Sequence, residues 1–296
     1  MPKVFIIILN FNGWLDTREC LASLAKIDYP NFEVILIDNG SKDAYQLPLT
    51  DYRYKIKAIY NEKNFGFAGG NNQGIRLALS EGADYILLLN NDTVVEPDFL
   101  TKLVEAGKNN PEYGILGPVI YEHNNKDRIQ FAGGKINWNR TKGEHIVINN
   151  KKLAVDNIIN TDYITGCCLL IKREVIEKIS QIREDYFLYY EDTDWNMRAQ
   201  RVGYKCGVVP SAKIYHKGSA SSTEFSYPYI YYHTRNGLIF GSRFGFKPLV
   251  YLLSGWIFLK QLIKLAIGYK RQWARPVMHG VIDFWRGKKG KLDGFY

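Results

Sequence analysis

The sequence predicts an α/β fold built on a mostly parallel central sheet, followed by a helical, basic and aromatic extension. Three observations carry that prediction. Four short aliphatic or β-branched runs alternate with segments of helical spacing. The runs are apolar almost throughout, as expected of strands covered on both faces. Each run also stops in polar or small residues. The chain has 296 residues, 46% hydrophobic and 23% charged, enough apolar material for one large or two modest folded units.

The first strand is expected in KVFIIILN (Lys3–Asn10), whose apolar run is too short for a signal peptide or a membrane span. NFEVILIDN (Asn31–Asn39), KIKAIY (Lys55–Tyr60) and DYILLLN (Asp84–Asn90) supply the next three. Helical spacing occupies Leu15–Leu24, Gly69–Leu79 and Asp98–Ala106. Ligands of open α/β sheets sit beyond the carboxyl ends of the strands. The strands here end in NFNG, DNGS, NEKNFG and NNDT. Asn10, Asp38, Asn39, Asn64 and Asp92 should therefore share one rim, with Asn91 beside Asp92. Asp38 alone could cap a helix or close a turn; four strand ends behaving alike favour a site. The glycines of NFGFAGGNNQG (Asn64–Gly74) allow close approach to a phosphate or base, yet the stretch matches neither a P-loop nor a dinucleotide fingerprint.

A second constellation lies in DYFLYYEDTDWNMRAQRVGYK (Asp185–Lys205), where Glu191, Asp192 and Asp194 open a helix. Acidic residues suit a helix's positive end. Three carboxylates in four positions among aromatic residues nevertheless repel one another, crowding that a cation or a proton transfer would use. TGCCLLIKREV (Thr165–Val175) reads as a core strand leading into a helix. IYHKGSAS (Ile214–Ser221) sets His216 beyond a short strand, a metal ligand only in company.

The net charge of +9 resides in the tail: residues 225–296 hold 12 of the 39 Lys and Arg but 2 of the 30 Asp and Glu. This composition shift near Glu224 divides a catalytic unit, residues 1–224, from the extension, residues 225–296. Pro248 opens an expected helix whose apolar run, Leu249–Leu259, is too short to span a bilayer. Lys260, Lys264, Lys270, Arg271 and Arg275 form a polar edge opposite Trp256, Phe258 and Leu262. Such a segment can lie in a membrane interface, or pack on the catalytic unit or another subunit. A nucleic-acid partner is disfavoured, since no binding signature accompanies the charge. The four cysteines show no CxxC spacing, which points to a reducing compartment and against structural zinc.

In this order, VILIDNGS, NFGFAGGNNQG, LLLNNDT, TGCCLLI, FLYYEDTDWNMRAQRVGY and YHKGSAS resemble family 2 glycosyltransferases of the Rossmann-like GT-A fold. The likeness covers roughly residues 3–240 and is greatest to the rhamnosyltransferase-like branch that builds bacterial surface polysaccharides. It implies inverting transfer of a sugar, rhamnose or another hexose, from a dTDP- or UDP-linked donor to a saccharide or lipid-linked acceptor. It also implies Mn²⁺ or Mg²⁺, and a cytoplasmic enzyme peripheral to the inner membrane face. By the same resemblance Asp38 contacts the base or ribose. Asn64, Gly66, Asn71 and Asn72 line the nucleotide pocket, and Asn10, Asn39, Asn91 and Glu191 join the donor site. Asp92 and His216 are the implied metal ligands and Asp192 the catalytic base. Asn90-Asn91-Asp92 departs from the family pattern, holding one carboxylate where many relatives hold two or three. The competing readings are a catalytically silent nucleotide-sugar scaffold, and a nucleotidyltransferase on a similar sheet.

Overall fold

The structure is a computed structural model that describes residues 1–42, 52–146, 157–218 and 226–294. The four expected strands form as β1 (Val4–Asn10), β2 (Phe32–Asp38), β3 (Ile56–Tyr60) and β4 (Tyr85–Asn90), with helices α1 (Trp14–Leu24) and α2 (Gly66–Ser80). Next come β5 (Thr93–Val95), α3 (Phe99–Asn109), β6 (Tyr113–Glu122), β7 (Asn125–Phe131), β8 (Gly134–Asn137), β9 (Lys142–His145) and β10 (Ile159–Thr161). The chain continues through β11 (Cys168–Lys172), α4 (Arg173–Ile179), α5 (Glu191–Arg201) and β12 (Lys205–His216). It ends in α6 (Tyr227–Phe244), α7 (Lys247–Ala266) and α8 (Arg271–Trp285).

The sheet runs β3-β2-β1-β4-β11-β6-β12-β10, with β5 on β12 and β7 on β6. β1 to β4 are mutually parallel, as are β6 and β12, while β11 enters antiparallel between β4 and β6. Ile6, Ile7 and Ile8 of β1 and Leu87 and Leu88 of β4 are fully buried, which is why those runs show no polar alternation. The four cysteines are free and buried.

The boundary expected near Glu224 falls outside the described residues, as does Ser219–Ser221 of the IYHKGSAS stretch. Leu238, Ile239 and Phe240 of α6 and Val281 and Phe284 of α8 belong to the same hydrophobic core as the sheet. α7 is longer than the apolar run suggested: its twenty residues are long and apolar enough to cross a membrane by length and composition, with 17% of the apolar window buried. Val250, Ser254 and Gln261 face inward, and Trp285 Nε1 of α8 donates to Ser254 Oγ at 2.8 Å. Phe258 packs on Trp285 with ring centroids 5.2 Å apart. Leu252 (72% exposed), Trp256 (63%) and Ile263 (52%) form the outward stripe.

Candidate active site

Strand register brings the first group together. Asn10 lies beside Asp38 and Leu9 beside Asn90, so three strand ends finish level. Asn10 Nδ2 donates to Asp38 Oδ1 at 3.1 Å, and Ser41 Oγ donates to the same carboxylate oxygen. Asn10 Oδ1 accepts from Gly13 N, Thr17 Oγ1 and, at 3.3 Å, Asn91 Nδ2. Asn91 also donates to the Gly13 carbonyl and to Thr17 Oγ1, which ties the turn after β4 to the start of α1.

Asn39 Nδ2 donates to Asn64 Oδ1 at 3.0 Å and to the Gly66 carbonyl at 3.1 Å, while its Oδ1 accepts from Phe65 N. Gly66 has φ +76°, and a Cβ there would lie 2.4 Å from the Phe187 carbonyl oxygen, so only glycine fits. That contact, and the Phe67 N–H donating to the Phe187 carbonyl at 2.9 Å, dock α2 on the segment before α5. α2 starts three residues ahead of its apolar periodicity because this docking, and not an amphipathic face, fixes its first turn. Asn71 Nδ2 donates to the Phe67 carbonyl. Asn72 gives both N–H groups to the Ile182 carbonyl and the Glu184 carboxylate and accepts from Ile182 N. Asn72 is thus a pin between α2 and the chain before α5, a correction to the ligand-lining place expected for it.

The second group forms where β5 pairs with the end of β12, Thr93 opposite His216. This sets Asp92 Oδ1 3.1 Å from His216 Nε2. His216 Nδ1 lies 2.8 Å from Gln130 Oε1. With that amide oxygen as acceptor Nδ1 carries a proton, which turns Nε2 toward Asp92. Burial opposes charge on His216, but the Cys167 thiol and Asp92 carboxylate beside it raise its pKa above the ordinary histidine range. Nε2 is buried without a well-formed hydrogen bond. One carboxylate and one imidazole suit a hard divalent cation only when other oxygens, such as those of a diphosphate, complete its shell. No group of three or more His, Cys, Asp or Glu able to hold a metal by itself occurs among the described residues. Asp92 and His216 fit a metal shared with a ligand.

Asp192 is joined to this pair through two consecutive residues. Gly166 N donates to Asp192 Oδ2 at 2.7 Å, and the next residue, Cys167, lies against His216. Thr193 N and Oγ1 both donate to Asp192 Oδ1, at 2.6 and 3.1 Å. Burial still outweighs these bonds and raises the Asp192 pKa. Glu191 is buried with one carboxyl oxygen unpaired; burial first, and Asp192 beside it, push its pKa well up. Asp194 turns inward to Arg198 Nε at 2.7 Å, Arg183 Nη1 at 3.1 Å and the Tyr186 hydroxyl at 2.9 Å. The three carboxyls are separated in this way: Glu191 is buried where its protonated form is favoured, Asp194 is paired with arginines, and Asp192 is held by the Gly166 and Thr193 donors.

Sequence reasoning missed Gln130, which orients His216, and His145 and Tyr163, both of which sense the Asp192 charge. TGCC looked like plain core strand, yet its Gly166 and Cys167 connect Asp192 to the His216 imidazole.

A mixed sheet with polar strand ends, helices on its faces and C-terminal helices is the architecture of a GT-A glycosyltransferase. Residues 5–180 match the profile of Glycosyl transferase family 2, and the chain belongs to that family. It is 24% identical to the low-salt glycan biosynthesis hexosyltransferase Agl10 of Haloferax volcanii, over 99% of this chain and 94% of the relative. It is 23% identical to the N-acetylglucosaminyl-diphospho-decaprenol L-rhamnosyltransferase of Mycobacterium tuberculosis, over 92% of this chain and 96% of that protein. Among solved structures, the mannosyltransferase PcManGT of Pyrobaculum calidifontis, in complex with GDP-Man and Mn²⁺, superposes with TM-score 0.61 and 15% identity, over 97% of this chain and 88% of that one. The fold is GT-A, and the enzyme is a glycosyltransferase of the rhamnosyltransferase-like branch.

Proposed function

We propose that the chain is an inverting, metal-dependent hexosyltransferase that moves rhamnose or another hexose from a dTDP- or UDP-linked donor to a saccharide or lipid-linked acceptor. The observation that carries this reading is the continuity of Asp92, His216, Cys167, Gly166 and Asp192 around one rim. The relative named for rhamnosyl transfer to N-acetylglucosaminyl-diphospho-decaprenol supports sugar and acceptor class. Asp192 accepts the acceptor hydroxyl's proton as that oxygen bonds to the anomeric carbon. The bond from that carbon to the diphosphate oxygen breaks on the opposite face, and its electron pair leaves with the nucleoside diphosphate. Asp92 and His216 would hold a divalent cation, which when bound would neutralise charge on that leaving group. Asn10 and Ser41 orient the Asp38 carboxylate for the nucleoside. Asn39, Asn64 and Gly66 shape the backbone beside it.

A panel of dTDP- and UDP-sugars tests the reading: a cognate donor should raise the thermal midpoint with Mn²⁺ present and much less without it, at 100 times Kd by about 2.7 kcal/mol of linkage. Asp92→Ala should abolish the Mn²⁺-dependent part. Release of nucleoside diphosphate during turnover supports the transferase; pyrophosphate release from a nucleoside triphosphate would instead select the nucleotidyltransferase.

The proposal includes a catalytic unit, residues 1–224, and an extension, residues 225–296, that seats the enzyme on the cytoplasmic membrane face. The outward stripe of Leu252, Trp256 and Ile263 exposes large apolar side chains to water, which covering by a membrane interface would relieve. Exposed Lys260, Lys270, Arg271 and Arg275 flank the stripe and complement anionic headgroups. Truncating the extension is a poor test, because Asp283 of α8 accepts from the Tyr231 hydroxyl of α6 at 2.8 Å and both helices share the core. Replacing Leu252, Trp256 and Ile263 together by Glu should move the protein from sedimenting anionic vesicles into the supernatant. Unchanged cosedimentation would reject membrane seating.

A further inference from the structure

The chain enters α5 through an unusual backbone. Phe187, Tyr189 and Tyr190 have φ of 67°, 66° and 75°, three non-glycine residues in the left-handed region immediately before Glu191 and Asp192. Such conformations persist only where their surroundings over-determine them. Here the surroundings come from α6. Asn236 is fully buried, and the two N–H groups of its Nδ2 are shared among the carbonyls of Tyr186 at 2.9 Å, Leu188 at 2.8 Å and Tyr189 at 3.1 Å. Arg235, also buried, fixes Asn236 by donating from Nε to its Oδ1 at 3.0 Å. The same guanidinium donates to the Tyr186 carbonyl at 3.2 Å, the Gly290 carbonyl at 2.8 Å and the Tyr231 hydroxyl at 3.1 Å. These acceptors are neutral, and a buried charge spent on neutral carbonyls is costly unless the geometry it holds is needed. On the loop's other side the Phe187 carbonyl accepts from Phe67 N of α2.

We propose that Asn236, backed by Arg235, is a positioning residue for Asp192. It holds the 186–190 backbone in its left-handed turn, so that α5 begins with Glu191 inside and Asp192 against Gly166 N. The extension therefore contributes to the chemistry of the sheet-bound site, without touching donor or acceptor. Relaxing the turn would move the first turn of α5, and with it the carboxylate that meets the acceptor hydroxyl, while the nucleotide-side residues on β1, β2 and α2 stay in place.

The rate prediction rests on the transferase reading. Steady-state transfer is measured for Asn236→Ala and Asn236→Ser and normalised to folded protein by circular dichroism. Asn236→Ala should lower kcat about 10²-fold, the scale of an ångström's misplacement of a reacting group, with donor KM within about threefold. Asn236→Ser, which keeps one hydroxyl donor, should fall between alanine and wild type. Hydrogen exchange of the 186–190 amides should accelerate in both variants, whether or not a donor has been identified. A kcat per folded molecule unchanged in both, a loss confined to donor KM, unaltered exchange, or failure of both variants to fold would overturn the positioning role. Wild-type protein that transfers from no nucleotide sugar, with exchange accelerated as expected in the variants, would overturn the transferase reading and leave the clamp standing.

Discussion

Replacing Asp192 by asparagine should lower transfer about 10²–10⁴-fold, the contribution of a positioned general base, while nucleotide affinity stays within about threefold. The carboxylate has Gly166 N on one oxygen and Thr193 N and Oγ1 on the other. Asparagine offers only one oxygen, so its amide nitrogen must face one of those N–H groups, at about 1–3 kcal/mol for the donor left unpaired. Activity should vanish in a protein that is somewhat less stable but folded. The wild-type pH profile follows from the raised Asp192 pKa. Only the ionised form accepts a proton, so kcat falls on acidification through a midpoint above the ordinary aspartate range. Stability moves the other way: the folded state binds this proton more tightly than the unfolded chain, so the contribution of Asp192 to stability falls as pH rises through the same window. Groups facing Asp192 include His145 of β9, Tyr163 of the loop after β10, and Tyr190 and Glu191 of its own segment. Isothermal titration with nucleotide, beside initial rates across pH, checks both halves. An Asp192→Asn variant with normal rates would remove the base assignment.

What could be read from the sequence was what local pattern encodes. Continuous apolar runs marked β1 to β4, and their polar termini marked the rim, because a parallel strand buried on both faces must stop where its side chains become useful to a ligand. Pairing between distant segments was not legible. Nothing in NNDTVV or IYHKGS says that Thr93 will oppose His216, and the Asp92–His216 contact exists only through that register. The β8–β9 hairpin is short and largely polar, so its His145 gave no signal. Asn72 is instructive: it has the residue type of a ligand-binding group, yet its side chain is taken up by the Ile182 backbone and the Glu184 carboxylate. Asn236 could have been noticed. An Arg-Asn pair inside YYHTRNGLIF interrupts a run otherwise fit for a core helix, and polar side chains in such a place must find partners.

Asp194 should prove as important to stability as Asp192 is to rate. Its side chain is fully buried, with Arg198 and Arg183 on its two oxygens, the Tyr186 hydroxyl on the second, and Arg243 Nη1 at 3.6 Å. Arg198 is itself mostly buried and also donates to the carbonyls of Ile179 and Gln181, so it cannot swing into water when its partner is removed. Arg183 is 43% exposed and loses less. Asp194→Ala leaves the Arg198 charge uncompensated in the interior and should cost about 3–5 kcal/mol, read as a lower denaturation midpoint in urea. Asp194→Asn keeps a side-chain oxygen for one of those donors and should cost less. Because Asp194 points away from the rim, the rate per folded molecule of Asp194→Asn should stay close to wild type. Two carboxylates one residue apart on either side of Thr193 thus separate cleanly: one variant stays folded and stops transferring, the other transfers and unfolds early. The opposite pattern would mean that α5 starts rotated from the register described, with Asp194 and not Asp192 facing the acceptor.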